Sequence, residues 1–224
     1  MKTVAVVPIK LNNKRFANKN IRSFTNGKPL IFYILETLRQ VDEIDEIYVY
    51  CSSETIKEYL PNNVIFLKRD RRFDADSIRF NDILVEFALQ IEADTYVLTH
   101  ATAPFLSAET IKKAIMAVND DGYDSSFTVR NMKEFMWESG NPINYSLDDI
   151  PRTQDLNEIQ IETCGLYVYA RKLIIEEKKR IGRNSKKIPI SKIEACDINT
   201  EEDFILADAV YNYFRMKNTE VESN

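Results

Sequence analysis

The chain has 224 residues, with 35 acidic against 30 basic side chains, a formal charge of -5 and a single histidine. This length suits one α/β domain with one sizeable core, and the near balance of charge argues against nucleic acid or an anionic membrane as a partner. No run approaches the roughly 20 apolar residues of a membrane span, and the N-terminal apolar stretch is too short and too weakly flanked for a signal peptide, so a cytoplasmic protein is expected. Cys51, Cys164 and Cys196 form no Cys-x-x-Cys pair and have no histidine cluster beside them. Neither a disulfide scaffold nor a zinc site is indicated, and the three read as reduced core residues.

Along the chain, apolar runs of strand length alternate with segments of helical period, the pattern of βαβ units and a mostly parallel sheet. Strands are expected at residues 3–8, 46–51, 64–68, 95–99 and 125–129, helices at 30–40, 54–60, 80–91 and 108–119, and a strand-like stretch at 193–196 would put Asp197 at a strand's carboxyl end. Ser107 and Thr200 have the chemistry of N-caps, and Asp203, three residues after Thr200, completes a capping box. Residues 131–161 break this rhythm. Phe135, Met136, Trp137, Ile143 and Tyr145 surround Gly140-Asn-Pro142 there, which predicts a projecting hairpin whose aromatics pack either on their own subunit or on another. One domain over 1–217, with 131–161 inserted in it and a frayed polar tail at 218–224, is the expected organisation.

The first apolar run, Val4 to Pro8, empties into a loop carrying Lys10, Lys14, Arg15 and Lys19. In an open α/β sheet the loop leaving the first strand faces the ligand crevice, so these cations can meet a polyphosphate, with a nucleoside triphosphate the natural candidate. Lysines on a loop are also commonly just solvated, and composition by itself favours that reading. His100 lies just past another apolar strand; it is either a satisfied structural residue or a crevice residue whose near-neutral reference pKa suits proton transfer.

The N-terminal loop resembles the Pro-Ala-Arg-Gly-Gly-Ser-Lys-Arg-x-Pro-x-Lys-Asn signature of the acylneuraminate cytidylyltransferases, which make CMP-activated sugar acids from CTP. Pro8, Lys14, Arg15, Lys19 and Asn20 match, as does Gly27-Lys-Pro-Leu-Ile31. Further along, Lys68 to Ser77, Ala101-Thr-Ala-Pro104, Arg152-Thr-Gln-Asp-Leu156, Glu162 to Tyr169 and Asp197 to Phe204 follow in the family's order. The resemblance implies a Rossmann-like, mostly parallel sheet with helices on both faces and a β-hairpin dimerisation arm. It also implies a magnesium-dependent transfer of CMP to an acidic, sialic-acid-like nonulosonic acid, as in cell-surface polysaccharide biosynthesis. By the same resemblance Lys14, Lys19 and Asp197 are catalytic, and Lys10, Arg15, Asn20, Arg69, Asp76 and Ser77 hold the nucleotide. His100, and on the arm Arg152 and Gln154, contact the acceptor, while Asp197 with Asn199 takes Mg2+.

The departures are informative. Leu11, Asn12 and Asn13 stand where the family has Gly-Gly-Ser, and Lys10 replaces an arginine fork with a point charge. His100 replaces a glutamine, Leu106 an arginine, and Asn199 the second aspartate of a metal-binding Asp-x-Asp. His100 and Leu106 leave a phosphonate or phosphate monoester open as the acceptor. Asn199 leaves open a third reading, a catalytically weakened nucleotide-binding dimeric scaffold. Arg71 and Arg72 match nothing and are expected to be solvated.

Overall fold

The computed structural model describes residues 1–12 and 15–222. Its main sheet has seven strands: β1 (Thr3–Ile9), β2 (Glu46–Cys51), β3 (Ile65–Lys68), β4 (Thr95–Thr99), β5 (Ser125–Met132), β8 (Ile159–Ala170) and β9 (Ser185–Pro189). Their spatial order is β3-β2-β1-β4-β8-β5-β9, and β6 (Trp137–Glu138) with β7 (Asn141–Pro142) forms a separate two-stranded ribbon. All neighbours in the main sheet are parallel except β8, which runs antiparallel to both β4 and β5. Strand order reverses direction between β1 and β4, so the crevice beyond their carboxyl ends is where such a sheet takes a ligand.

The period of two along β1 explains both faces of the core. Ala5, Val7 and Ile9 join Ile31, Ile34, Leu35 and Leu38 of α1 (Leu30–Leu38) and Ile111, Ala114, Ile115 and Val118 of α3 (Ala108–Asn119). Val4 and Val6 face the other way, toward Ile83, Leu84 and Phe87 of α2 (Phe80–Gln90) and Leu173 and Ile174 of α4 (Arg171–Glu177). Helices therefore cover both faces, as expected. The Ser107 side chain caps α3 by accepting from Thr110 N. Residues 54–60, expected as a helix of ordinary period, form only a 3-10 segment over Glu54–Tyr59, because Pro61 follows at once and Ile56 alone is buried to anchor it.

A third cluster positions the site. Phe16, Phe24, Leu30 and Tyr33 pack on Ile198, Phe204 and Ala207, the last two from α5 (Glu201–Glu222). Phe204 meets Phe16 and Phe24 edge-on, with centroids 5.6 and 4.9 Å apart. Aromatic pairs of this geometry add about 1 kcal/mol each beyond area burial, and here they clamp the N-terminal loop to the segment before α5. That helix continues to Glu222, past the Lys217 where the sequence reading ends the domain; no glycine or proline interrupts it.

Candidate active site

Arg69 directly follows β3 and is 97% buried by its 3% exposure. Its Nη2 donates to Ile9 O at 2.8 Å and to Asp74 Oδ1 at 2.7 Å, and Ser52 Oγ donates to Asp74 Oδ2 at 2.6 Å. Lys10 Nζ donates to Asp74 O (2.9 Å) and Asp76 Oδ1 (2.8 Å), while Asn20, itself buried, donates Nδ2 to Lys10 O at 3.1 Å. The structure thus brings together Lys10, Asn20, Arg69 and Asp76, four residues from two loops. Pro8, Lys10, Arg69, Phe73, Asp76 and Phe80 are among those lining a cavity of about 220 Å³ at this point. Residues 75–78 close a turn through Ile78 N and Ala75 O, with Ser77 exposed on it. Sequence reasoning passed over Asp74, the carboxylate that orients Arg69. Arg71, expected to be solvated, lines a neighbouring cavity of about 470 Å³ with Leu11, Asn12, Ser52, Ser53, Thr55 and Asp74. Arg72 is exposed and lies 3.6 Å from Glu86.

Lys19 occupies a 3-10 turn and donates Nζ to Ile198 O at 2.8 Å, across 179 residues of sequence. Burial pushes its pKa down; the Asp197 charge opposes this, Arg15 adds to it and Asp203 opposes it again. Arg15 is exposed, and Lys14 lies outside the described residues. The expected strand at 193–196 is instead a turn, closed by Ala195 N to Ser191 O and Cys196 N to Ile193 O. With no sheet neighbour to pair it, the segment is held by Ile198 N donating to Thr102 O at 2.9 Å, in the loop leaving β4. Asp197 therefore reaches the crevice beside the carboxyl end of β4.

Asn199 donates Nδ2 to Asp197 Oδ2 at 2.7 Å. The capping box forms as expected: Asp203 Oδ2 accepts from Thr200 N at 2.8 Å and Asp203 N donates to Thr200 Oγ1 at 3.2 Å. Burial acts to raise the Asp203 pKa, but the N–H groups of Asn199 and Thr200 outweigh it and hold the carboxyl below its usual value. Among the described residues no three His, Cys, Asp or Glu side chains cluster as a metal cage. One carboxylate with a neutral amide fits Mg2+, which takes few protein ligands and completes its shell with phosphate oxygens and water; it does not fit zinc or calcium.

His100, Thr102, Cys164, Asp197 and Asn199 line a further cavity of about 190 Å³. His100 is half-buried and its ring lies 5.4 Å from that of Phe80. Burial pushes its pKa down to about 4, Asp197 opposing and Arg180 and Lys19 reinforcing, so near neutral pH it is an uncharged imidazole and a weaker base than its reference value implies. Cys164 is exposed and Cys196 half-buried; only Cys51 is a core residue. The reason is a bulge. Pairing of β5 with β8 jumps from Phe127↔Tyr167 to Val129↔Glu162, which ejects residues 163–166 from the ladder and puts Cys164 at φ 58°. Gly165 lets this bulge pass the loop after β4, since a Cβ there would stand 3.2 Å from Ala103 Cβ. Leu106 is buried against α3 and takes no part in the cleft.

Arg152 and Gln154 sit on the arm and pair within it. Arg152 forms a two-pronged contact with Asp155 (2.7 and 3.1 Å), and Lys133 Nζ donates to Gln154 O at 3.0 Å. Ser139 and Gly140, at φ 50° and 83°, make the tight turn between β6 and β7. Tyr145 contacts both Phe135 and Trp137, while Trp137, Ile143, Leu147 and Ile150 remain more than half exposed.

The sequence profile of the cytidylyltransferase family matches residues 4–172, and the chain belongs to that family. Among curated proteins it is 26% identical over 214 residues to N-acylneuraminate cytidylyltransferase A of Danio rerio, covering 91% of this chain and 49% of that protein. It is 27% identical over 222 residues to CMP-N,N'-diacetyllegionaminic acid synthase of Legionella pneumophila, covering 93% and 95%. The chain thus spans about half the length of the animal relatives and nearly all of the bacterial one. The same fold occurs in a CMP:2-keto-3-deoxy-manno-octonic acid synthetase solved with CTP, at TM-score 0.69 and 15% identity, covering 95% of this chain and 99% of that one. No helix among the described residues is long and apolar enough to cross a membrane.

Proposed function

We propose that this chain is a CTP-dependent cytidylyltransferase that transfers CMP to a sialic-acid-like nonulosonic acid and releases pyrophosphate. The observation that carries this reading is the meeting of Lys19 with the Asp197 segment, together with a pocket lined by Lys10 and Arg69 whose Lys10 carbonyl is held by Asn20. A cation, a carboxylate and a polar nucleotide pocket at one sheet edge are what in-line attack on an α-phosphorus needs. The names of the relatives, all sugar-acid cytidylyltransferases in the cases above, support the acceptor class.

In this mechanism an acceptor hydroxyl oxygen bonds to the α-phosphorus and gives up its proton to water, while the bond from that phosphorus to the bridging oxygen breaks and pyrophosphate leaves with its charge. Lys10 exchanges Asp76 for a phosphate oxygen, and Lys19 exchanges the Ile198 carbonyl for the leaving group. Arg69 and Asn20 stay fixed and hold the nucleoside. Lys14 and Arg15 add positive charge on the same loop, and Ser77 extends the nucleotide turn. Asp197 with Asn199 would hold Mg2+, which supplies charge neutralisation on the triphosphate. His100, uncharged, positions the acceptor by hydrogen bonding. A homodimer through 131–161 would bring Arg152 and Gln154 to the neighbouring subunit's acceptor. The setting is the cytoplasm.

Asn199 favours a second acceptor class: one carboxylate fewer beside Asp197 better tolerates a dianionic phosphonate or phosphate monoester. The deciding experiment is pyrophosphate release measured across CTP, ATP, GTP and UTP, with and without EDTA, against a panel of nonulosonic acids and phosphonates. CTP selectivity with sugar acids, abolished by EDTA, is expected. Equal use of all four nucleotides sinks the assignment.

A further inference from the structure

Among the described residues no carboxylate pairs with Arg180, in the loop after α4. Its Nη1 donates to Asn81 Oδ1 at 2.8 Å, and Asn81 Nδ2 is spent on Lys178 O at 2.9 Å, so the guanidinium is tied to the first turn of α2. It lies over two rings, 4.5 Å from the centroid of Tyr167 and 5.6 Å from that of Phe80. Its Nε is buried and makes no hydrogen bond among the described residues. Arg69, the other arginine sequestered at this crevice, differs on the decisive point, since Asp74 neutralises it.

A guanidinium packed against two aromatic rings, bonded on one edge to an amide and interacting with the Tyr167 hydroxyl, presents its remaining donors in a fixed plane, the geometry that suits an oxyanion. Phe80 also touches His100, which lines the cleft with Asp197 and Cys164. Leu106 lies in the core and supplies no charge here.

We propose that Arg180 binds the anionic group of the acceptor, with Phe80 and Tyr167 as the walls of that subsite and His100 as its hydrogen-bonding neighbour. The inference rests on the reading of the acceptor as an acid and adds the residue that would recognise it. Arg180 is not among the residues lining the cavity with Lys10 and Arg69, so it should govern the acceptor and leave the nucleotide alone.

The test compares Arg180→Gln and Arg180→Lys with the wild-type protein. In steady-state assays Arg180→Gln should raise the acceptor KM at least about tenfold, the size expected for a lost charge-assisted hydrogen bond, with CTP affinity unchanged and Arg180→Lys intermediate. An equal acceptor KM in wild type and Arg180→Gln, or an equal loss of CTP affinity, overturns the proposal. A second measurement needs no turnover. The chain has one histidine, so the imidazole signals in a proton NMR spectrum report this cleft alone. Titration with pyruvate should move them in wild type and in Arg180→Lys but not in Arg180→Gln, and methylphosphonate in place of pyruvate distinguishes a dianion from a carboxylate. Absence of any shift in wild type, or the same shift in Arg180→Gln, overturns it. If no acid yields pyrophosphate, the function proposed above fails, and the pyruvate titration still decides Arg180. If Arg180→Gln does not fold, the Arg180→Lys titration decides, with an affinity equal to wild type counting against the proposal.

Discussion

Around Arg69 the charges are tied across the sequence: Lys10 to Asp76, 66 residues on, and Arg69 to the Ile9 carbonyl, 60 residues back, with Asp74 as its nearer partner. On the arm the reverse holds. Arg152 pairs with Asp155 three residues away, and Trp137 and Ile150 face solvent at 54% and 61% exposure. The crevice is built by long-range packing and is pre-ordered before any ligand arrives, whereas the arm is held by local contacts and its apolar surface is complete only against another surface. Substitutions in the crevice should therefore separate chemistry from folding, and substitutions on the arm should separate assembly from both.

The largest effect is expected at Lys19. Lys19→Ala should lower turnover by about 10²- to 10³-fold, as when a preorganised donor to developing charge is removed, while costing about 1 kcal/mol or less of stability for one lost hydrogen bond. Turnover and thermal midpoint measured on the same preparation make the comparison. Near-normal turnover would take Lys19 out of the mechanism.

His100 allows a stability test of how dry the crevice is. Its folded pKa, about 4, lies below the unfolded value of roughly 6.5, so the unfolded chain binds the proton more tightly. The associated stability is intact above the unfolded value and is lost as pH falls toward the folded one, by up to about 3 kcal/mol before solvent screening is counted. Denaturant unfolding at steps from pH 7 to 4 should show this loss in wild type and a flatter profile in His100→Gln. Asp203, with its pKa lowered, loses its contribution only as pH falls below the ordinary aspartate range, in both proteins alike. Parallel profiles would mean that the imidazole is solvated.

Much of the frame was legible in the sequence because it is local. The alternation at Val4 to Ile9 determined both faces of the sheet, and Ser107 and Thr200 marked helix starts by side-chain chemistry that needs only three neighbouring residues. The site was legible only in part. Asp74 and Arg180 carry no motif, and their roles arise from contacts 5 to 99 residues away. Cys164 reads as a core residue in any strand pattern, and the bulge that exposes it depends on how β8 meets β4 and β5 at once. The turn at 192–195 reads as a strand in sequence because Ile193 and Ala195 alternate with charged residues, although no strand among the described residues pairs with them.

On the arm, Trp137→Ala combined with Ile150→Ser should convert a dimer of about twice the 26.1 kDa chain mass into a monomer in sedimentation at micromolar concentration. The fold itself should lose no more than about 0.5 kcal/mol, since neither side chain is buried within its own chain. A wild-type protein that is already monomeric and fully active refutes the arm as an assembly element.

Arg152 gives the smallest effect on the fold and the sharpest test of where its side chain acts. Its pair with Asp155 is exposed, with side chains 73% and 47% accessible, so Arg152→Ala should change stability by less than about 0.5 kcal/mol. If Arg152 serves the partner's acceptor site, the single variant loses activity while the dimer persists. Mixing it with Lys19→Ala then produces hybrids in which one site carries both defects and the other carries neither. With random exchange about half the dimers are hybrid and half their sites intact, so about a quarter of wild-type activity should return. Action within the same chain predicts no recovery, because each site of the hybrid then keeps one defect. Recovery on mixing would show that the crevice is finished by the arm of the other subunit; its absence, with dimers still present, would confine Arg152 to its own subunit.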